Sequence, residues 1–425
     1  MKAGRVNQRE KGATSIQVLV LLVPVFFGFM GFAIDLGRLY LARAEVKSAA
    51  NAMALAAAAK LIGTDASTGN AQVASLFPVE NSGGYANKYD FGSVVIGEGS
   101  SRLQSAMPEP QFFETVGGAT ETGDNAAGGD QAGPATARHV RIDIQAEAPL
   151  TFFGFLNIAQ ERKVTVAARA VAGISAPVCQ ACGIEPIAIA PVDADDTTNF
   201  GFSANTRYTF GFSCAGPNQP TALAGSDTRI PYLLINRYNE EATLFPDESS
   251  QAFRIGAGGL PSDTSRTRAC VQVSGVESVW VSATPGNCQT QKPVTVGQYG
   301  CGLAARFDAA LATGCDTIAS SADIITAYSA DSDITDLDDY ATYTGNMRRI
   351  LTVAIVDSVA SSDAMTVLGF RQFLLQPNQG DINVNPSDNN GRFIATYIGS
   401  PVPLKQGYMG GCSLTSGPGK VVLHQ

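Results

Sequence analysis

The stretch GATSIQVLVLLVPVFFGFMGFAIDLGRLYLARAEVKSAANAMALAAAAKLIG, Gly12–Gly63, decides how the rest of the chain has to be read. Its first part, Ile16–Ile34, carries no charge, one amide at Gln17 and one proline at Pro24. As a helix it extends roughly 28 Å at about 1.5 Å per residue, close to the hydrocarbon thickness of a bilayer. No other part of the sequence is uninterruptedly apolar for this length. The remaining residues are therefore expected to hang from a single membrane anchor.

Charge sets the expected orientation. Lys2, Arg5, Arg9 and Lys11 precede the apolar run against one carboxylate, Glu10, whereas Asp35 and Glu45 dilute Arg38, Arg43 and Lys47 on its far side. Positive flanks stay cytoplasmic, so the amino terminus is expected inside and the bulk of the chain outside. Gly31-Phe32-Ala33 supplies a small-x-small triplet, so a cleaved signal ahead of a secreted, disulfide-rich protein is the competing expectation. The length of the run, and its passage straight into more helix-forming sequence, favour a retained anchor.

Asp35–Ile62 is alanine-rich and free of proline, with Gly37 inside it and Gly63 closing it. A heptad runs through it: Leu39, Val46 and Met53 form one column, and Ala42, Ala49 and Ala56 the next. Large residues alternating with alanine make a narrow seam that a second helix can approach closely. The same stripe equally suits packing on the protein's own folded domain.

These residues carry a family resemblance. Gly12, Pro24, Ala33-Ile34-Asp35-Leu36-Gly37-Arg38, Tyr40-Leu41-Ala42-Arg43 and the run Ala49–Ala59 make Gly12–Leu61 closely similar to the amino-terminal segment of TadE/TadG-like proteins of the Tad (tight adherence, or Flp) pilus system. In that family the shorter, pseudopilin members are cut after a glycine that has glutamate five residues downstream. The corresponding positions here are Gly12, Ala13 as the new first residue, and Gln17. A neutral amide pairs only weakly with a neighbouring subunit's terminal amine, so the resemblance implies the TadG-like type, with an uncleaved anchor and a long extracytoplasmic region. It implies a place in the bacterial inner (cytoplasmic) membrane and, as partners, other pilus assembly proteins or pseudopilins, met through the amino-terminal helix.

Beyond the anchor, 64–137 reads as irregular, with a strand at Phe91–Ile96 and an acidic Gly/Ala-rich linker over Val116–Ala137. Over 138–174 a strand–aromatic–strand unit is expected. His139–Ile144 and Lys163–Ala172 alternate with period two, and Pro149–Ile158 (PLTFFGFLNI) lies between them. Phe152, Phe153 and Phe155 suit a hydrophobic core more readily than a membrane-dipping loop.

From 175 to 425 a cysteine-containing β-rich domain is expected. Its strands fall at Pro186–Ala190, Tyr208–Phe212, Tyr232–Ile235, Val271–Val273, Ser278–Ser282, Ile350–Val356, Met365–Leu375, Arg392–Ile398 and Lys420–His424. Leu303–Leu311 is the one helical pattern after residue 63. The expected fold class is thus α+β: one transmembrane helix prolonged as an alanine-rich stalk (16–34 and 35–63, after a basic tail, 1–15), then an antiparallel, β-rich extracytoplasmic region.

Eight cysteines, Cys179, Cys182, Cys214, Cys270, Cys288, Cys301, Cys315 and Cys412, all follow the anchor. An even number confined to the part expected outside the cytoplasm points to disulfides, whose connectivity has 105 solutions. Cys179-x-x-Cys182 has no second such pair and no histidine nearby, which favours a structural bridge, within the pair or to another cysteine such as Cys214.

The carboxylates of Asp331–Asp339 (DSDITDLDD) miss the glycine and glutamate of a calcium loop, since Asp336 and Thr342 occupy those positions. Asp357-Ser358-Val359-Ala360-Ser361 lacks the middle serine of the metal motif in von Willebrand A-type domains. There is no Gly-x-Ser-x-Gly, Walker loop or zinc-protease helix, and His139 and His424 are the only histidines. No catalytic, cofactor or metal site is expected. The net charge of −9 argues against nucleic acid as a partner. A membrane-tethered adhesin or envelope-binding module, with an unnamed surface ligand, is the expectation of a different class.

Overall fold

The computed structural model describes residues 9–65, 67–80, 95–96, 104–105, 109–120, 131–150, 152, 163–212, 223, 225–235, 270–277, 299, 303–304, 306–307, 349–359, 364–377, 391–399, 402–404 and 407–424. Helix α1, Arg9–Ala58, is one continuous element through Pro24 and across the change from apolar run to alanine-rich stalk. It unwinds through Lys60, whose N–H bonds to Ala57 O, and Gly63 at φ 80° reverses the chain. That left-handed conformation carries no steric penalty for glycine.

Two surroundings divide α1. Within Ser15–Ala58 its apolar window is almost wholly exposed, with Leu21, Phe29 and Val20 at 73, 69 and 63 %. Further on, Ala42, Val46, Ala50, Met53, Ala54, Ala57 and Ala58 are buried. What covers them is the chain's own four-stranded antiparallel sheet, together with a second helix (Ser67–Glu80). The sheet consists of β3 (Gln111–Phe113), β4 (His139–Pro149), β5 (Lys163–Ile174) and β16 (Val421–His424), in the order β16-β5-β4-β3.

The period-two pattern accounts for this. Val140, Ile142, Ile144, Ala146 and Ala148 of β4 face the helix, while Asp143 and Gln145 face solvent. On the outer face Asp143 and its cross-strand neighbour Arg169 form an ion pair at 2.6 Å. Alanine at the helix surface and small or β-branched residues on the strands permit this close approach.

Helix α2, Ser67–Glu80, then lies against α1 through Ala71 and Ser75. Its start is fixed by the Thr64 N–H donating to Ser67 Oγ at 2.7 Å. The sequence expectation of an irregular 64–137 is corrected here. Glycine and asparagine early in α2 weaken its helical signal, and packing on α1 supplies what propensity does not. The expected linker likewise holds a short helix, α3 (Val116–Thr120), and a bridge from Gln131 to Phe113.

The second body is built from β7 (Ile187–Ile189), β8 (Arg207–Phe212), β9 (Thr228–Leu234), β11 (Val276–Glu277), β12 (Ile350–Val356), β13 (Met365–Leu375) and β14 (Phe393–Tyr397). Their order is β11-β13-β12-β7-β9-β8-β14, and β14 pairs back to β13 through Phe373↔Tyr397. Six strands thereby close into a barrel with β11 appended, which removes free edges. Most pairings are antiparallel, but β12/β7 and β8/β9 are parallel. Aromatic rings fill the interior: Phe210 stacks on Phe393 at 4.9 Å, and Phe373 meets Phe202, Phe210 and Tyr397 at 5.1–5.3 Å.

A three-stranded sheet, β10-β6-β15 (Cys270–Gln272, Gln180–Cys182 and Gly407–Tyr408), flanks the barrel. Pairs β1 (Val95–Ile96) and β2 (Gln104–Ser105) complete the elements.

The two bodies are joined at both ends of the chain. Ile62, at the end of the stalk, packs with Ile350, Leu374, Ile398 and Val402 of the barrel body. The last strand, expected to belong to the cysteine-containing domain, instead pairs with β5 through Val421↔Ile174 to His424↔Val171. The fold is thus α+β, with one long amino-terminal helix followed by mostly antiparallel strands.

Because Ala54 has no exposed surface, Ala54→Leu in the detergent-solubilised full chain is expected to lower stability by about 1–3 kcal/mol through overpacking. Ala44→Leu, on the exposed side of the same helix, is expected to change it by less than about 0.5 kcal/mol. Thermal unfolding of the two variants checks the difference.

Candidate membrane and assembly interface

Helix α1 carries the residues that the sequence singles out. Gly12 and Ala13 lie in its first turns, and Gln17 is an exposed position on the apolar half. Of the seam, Ala42, Val46 and Met53 are buried under the sheet, Leu39 and Ala49 pack at the margin of that cluster, and Ala56 is half-buried. This column is therefore occupied by the chain's own strands. The face turned away presents Leu36, Tyr40 and Leu41 at 38, 66 and 48 % exposure, just beyond the apolar run.

At the junction stands Asp35, only 3 % exposed. Both of its carboxylate oxygens accept the backbone N–H of Phe152, at 3.0 and 3.2 Å. One turn earlier, a Cβ on Gly31 would overlap the Phe152 ring. Gly31 and Asp35 thus form a seat on the helix for Phe152, which lies between β4 and β5. A charged group so placed is costly unless its oxygens are satisfied, and the amide donor satisfies them. Sequence reasoning places Asp35 in the family motif and Phe152 in an aromatic segment, but 117 residues separate them and no local pattern links the two.

The cysteines Cys179 and Cys182 do not bridge each other. Cys182 joins Cys270 directly across the β6/β10 register, with Cα atoms 4.0 Å apart, and Cys179 joins Cys412 at 5.6 Å. Strand β6 is thereby fastened on both sides, closing sequence separations of 88 and 233 residues. Every cysteine among the described residues is paired. Cys214, Cys288, Cys301 and Cys315 lie outside the described residues, as do Asp331–Asp339, Phe153, Phe155 and Ser278–Ser282. Of the expected helix Leu303–Leu311, Leu303 and Ala304 are helical, and Arg306 and Phe307 form a turn.

Other polar clusters hold the fold together. Buried Glu185 pairs with Arg306, and Tyr299 Oη donates to Glu185 Oε2 at 3.3 Å. The Asp357 carboxylate accepts the N–H groups of Ser358 and Thr366 at 2.9 Å, linking the end of β12 to the start of β13. Asp196 accepts N–H bonds from Thr198, Asn199 and Gly201 at 2.9–3.0 Å; these, led by Asn199, hold its carboxyl below the usual carboxylate range.

A cleft of about 420 Å³ between sheet and barrel is lined by Arg138, His139, Arg371, Tyr397 and Ser416 among others. Its central cation is already engaged. Arg371 donates to Phe370 O, Thr198 O and Ser416 Oγ and lies 4.3 Å from the Phe200 ring centroid. Among the described residues, no three His, Cys, Asp or Glu side chains come together as a metal-holding group.

The two histidines, distant in sequence, meet edge to face at 5.1 Å on either side of β5. Burial first, then His424 and Arg138, push His139 down to about 4, and burial also lowers His424. Both are neutral in the fold at pH 7, whereas the unfolded chain takes up protons near pH 6.5. Stability is therefore expected to fall as pH drops from 6.5 towards 4, by on the order of 3 kcal/mol for His139. Unfolding midpoints of the full chain across this range should show the loss, and His139→Leu should flatten it.

Comparison with known proteins bears on the helix alone. Residues 12–60 match the Tad family model, described as "Putative Flp pilus-assembly TadE/G-like". No curated protein and no solved structure matches the chain.

Proposed function

We propose that this chain is a non-enzymatic, membrane-anchored component of a Tad/Flp-type pilus assembly apparatus. The observation that carries this is the coincidence of the family match, residues 12–60, with the membrane-length helix α1 and its sheet-packed extension. The basic residues before the apolar run support a cytoplasmic amino terminus in the inner membrane. Paired cysteines in the folded part support an oxidising compartment for everything beyond Asp35.

The mechanism proposed is mechanical. Displacement of the apolar half of α1 in the membrane reaches the folded bodies without an intervening loop, because α1 is one helix clamped by the sheet and touching the barrel through Ile62. Contact with another pilus assembly protein or pseudopilin is proposed along Leu36, Tyr40 and Leu41, since the alanine column is covered by the chain's own strands.

In membranes of the pilus-bearing cell, the Tyr40→Cys variant is expected to form a crosslinked adduct with a partner helix and the Val46→Cys variant is not. Protease added outside the inner membrane should remove the bulk of the chain while sparing an amino-terminal tag. Deletion is expected to abolish piliation while leaving the pilin subunit at its normal level. Piliation unchanged by deletion would contradict the proposal.

A further inference from the structure

The contact of Phe152 with α1 has a consequence for the membrane itself. Gly31 lies three residues before Ile34, the last residue of the apolar run, or roughly 5 Å down a helix that rises about 1.5 Å per residue. The Phe152 ring occupies the space that a side chain at Gly31 would need. On the same stretch of helix Phe29, Met30, Phe32 and Ile34 are 52–69 % exposed, so this is not the interior of the folded domain. An aromatic ring beside them lies within the apolar zone, short of its outer boundary.

The approach to this position is built from long elements. Strands β4 and β5 pair without interruption from His139↔Gly173 to Pro149↔Lys163. At about 3.3 Å per residue this two-stranded arm runs roughly 35 Å from the level of the barrel towards the exit of the apolar run. At its end the Phe152 amide is captured by Asp35, which satisfies a backbone donor that would otherwise enter a medium without water. The sequence Thr151–Ile158, TFFGFLNI, contains no charged residue.

We infer that Phe152, between β4 and β5, is a second point of membrane insertion, seated on α1 by Gly31 and Asp35 and lying among the acyl chains of the leaflet at which α1 emerges. The inference rests on α1 spanning the bilayer. Two points of insertion on one rigid body fix its depth and tilt, where a single helix leaves both free. The sequence alone favours burial of Phe152 in a core; its neighbours on α1 point instead to lipid.

Trp280 is the only tryptophan in the chain, so Trp280→Phe gives a silent background. In it, Phe152→Trp serves as an insertion reporter and, in a separate variant, Phe29→Trp serves as a span reporter. The full chain is reconstituted in phosphatidylcholine/phosphatidylglycerol vesicles, with and without lipids brominated near the headgroup end of the acyl chain. Brominated lipid is expected roughly to halve the emission of the insertion reporter, and iodide in the water to leave it nearly unchanged. Iodide quenching of the insertion reporter without quenching by brominated lipid, while the span reporter is quenched by lipid, would overturn the inference and leave the span standing. A span reporter reached by iodide and not by lipid would overturn both. Adding Gly31→Leu is expected to expel the insertion reporter from the acyl chains and make it accessible to iodide; lipid quenching unchanged by that substitution would contradict the proposed seat.

Discussion

Everything in this structure depends on a helix that changes surroundings without changing conformation. Below Asp35, α1 presents large apolar side chains outward; from Ala42 on, it presents alanine inward to a sheet. Both halves satisfy their backbone internally, which a helix does equally well in lipid and in a protein interior. Alanine matters in the second half because it lets the β4/β5 face come close while supplying strong helical propensity through a segment with little else to hold it. The proposed membrane anchor and the first structural element of the folded region are therefore a single helix.

Two kinds of fastening extend that rigidity outward. The carboxyl-terminal strand returns to β5, and Lys420 and Ser175 exchange bonds across the junction, so that the chain's far end is tied to the sheet that grips α1. The barrel closes through β13 and β14 around stacked aromatic rings, and the disulfides secure the small sheet beside it. Arg371 of β13 ties down the 197–198 loop and the segment before β16 by donating to the carbonyls of Thr197 and Thr198 and to Ser416. The large cleft there is framed by a guanidinium whose role is to hold backbone segments together.

The amino-terminal third was legible where periodicity is strong. The apolar run, the alanine-rich continuation ending at Gly63, and the alternation in β4 and β5 each correspond to an observed helix or strand. Strands Ile350–Val356 and Met365–Leu375 were legible as strand-forming stretches set off by turn-forming residues. Helix α2 was not, since its weak pattern becomes a helix only against α1. Barrel closure, the pairing of Cys179 with Cys412, and the capture of Phe152 by Asp35 all depend on contacts between residues far apart in sequence, which spacing does not encode. The alanine column illustrates the same limit. Its shape was readable, but whether strands or a second helix cover it is a property of the folded chain.

The most direct measurement is a nitroxide scan along α1 in the full chain, recording collision rates with oxygen and with a water-soluble nickel chelate at each position from 16 to 58. The account predicts high oxygen and low nickel accessibility at the outward positions up to Ile34. Beyond Asp35 it predicts a helical oscillation in which 42, 46, 50, 53 and 57 are protected from both reagents and 36, 40, 41 and 44 are open. A break in the oscillation at Asp35, or protected positions that fail to follow one helical face across 42–57, would contradict a single helix shared between membrane and sheet.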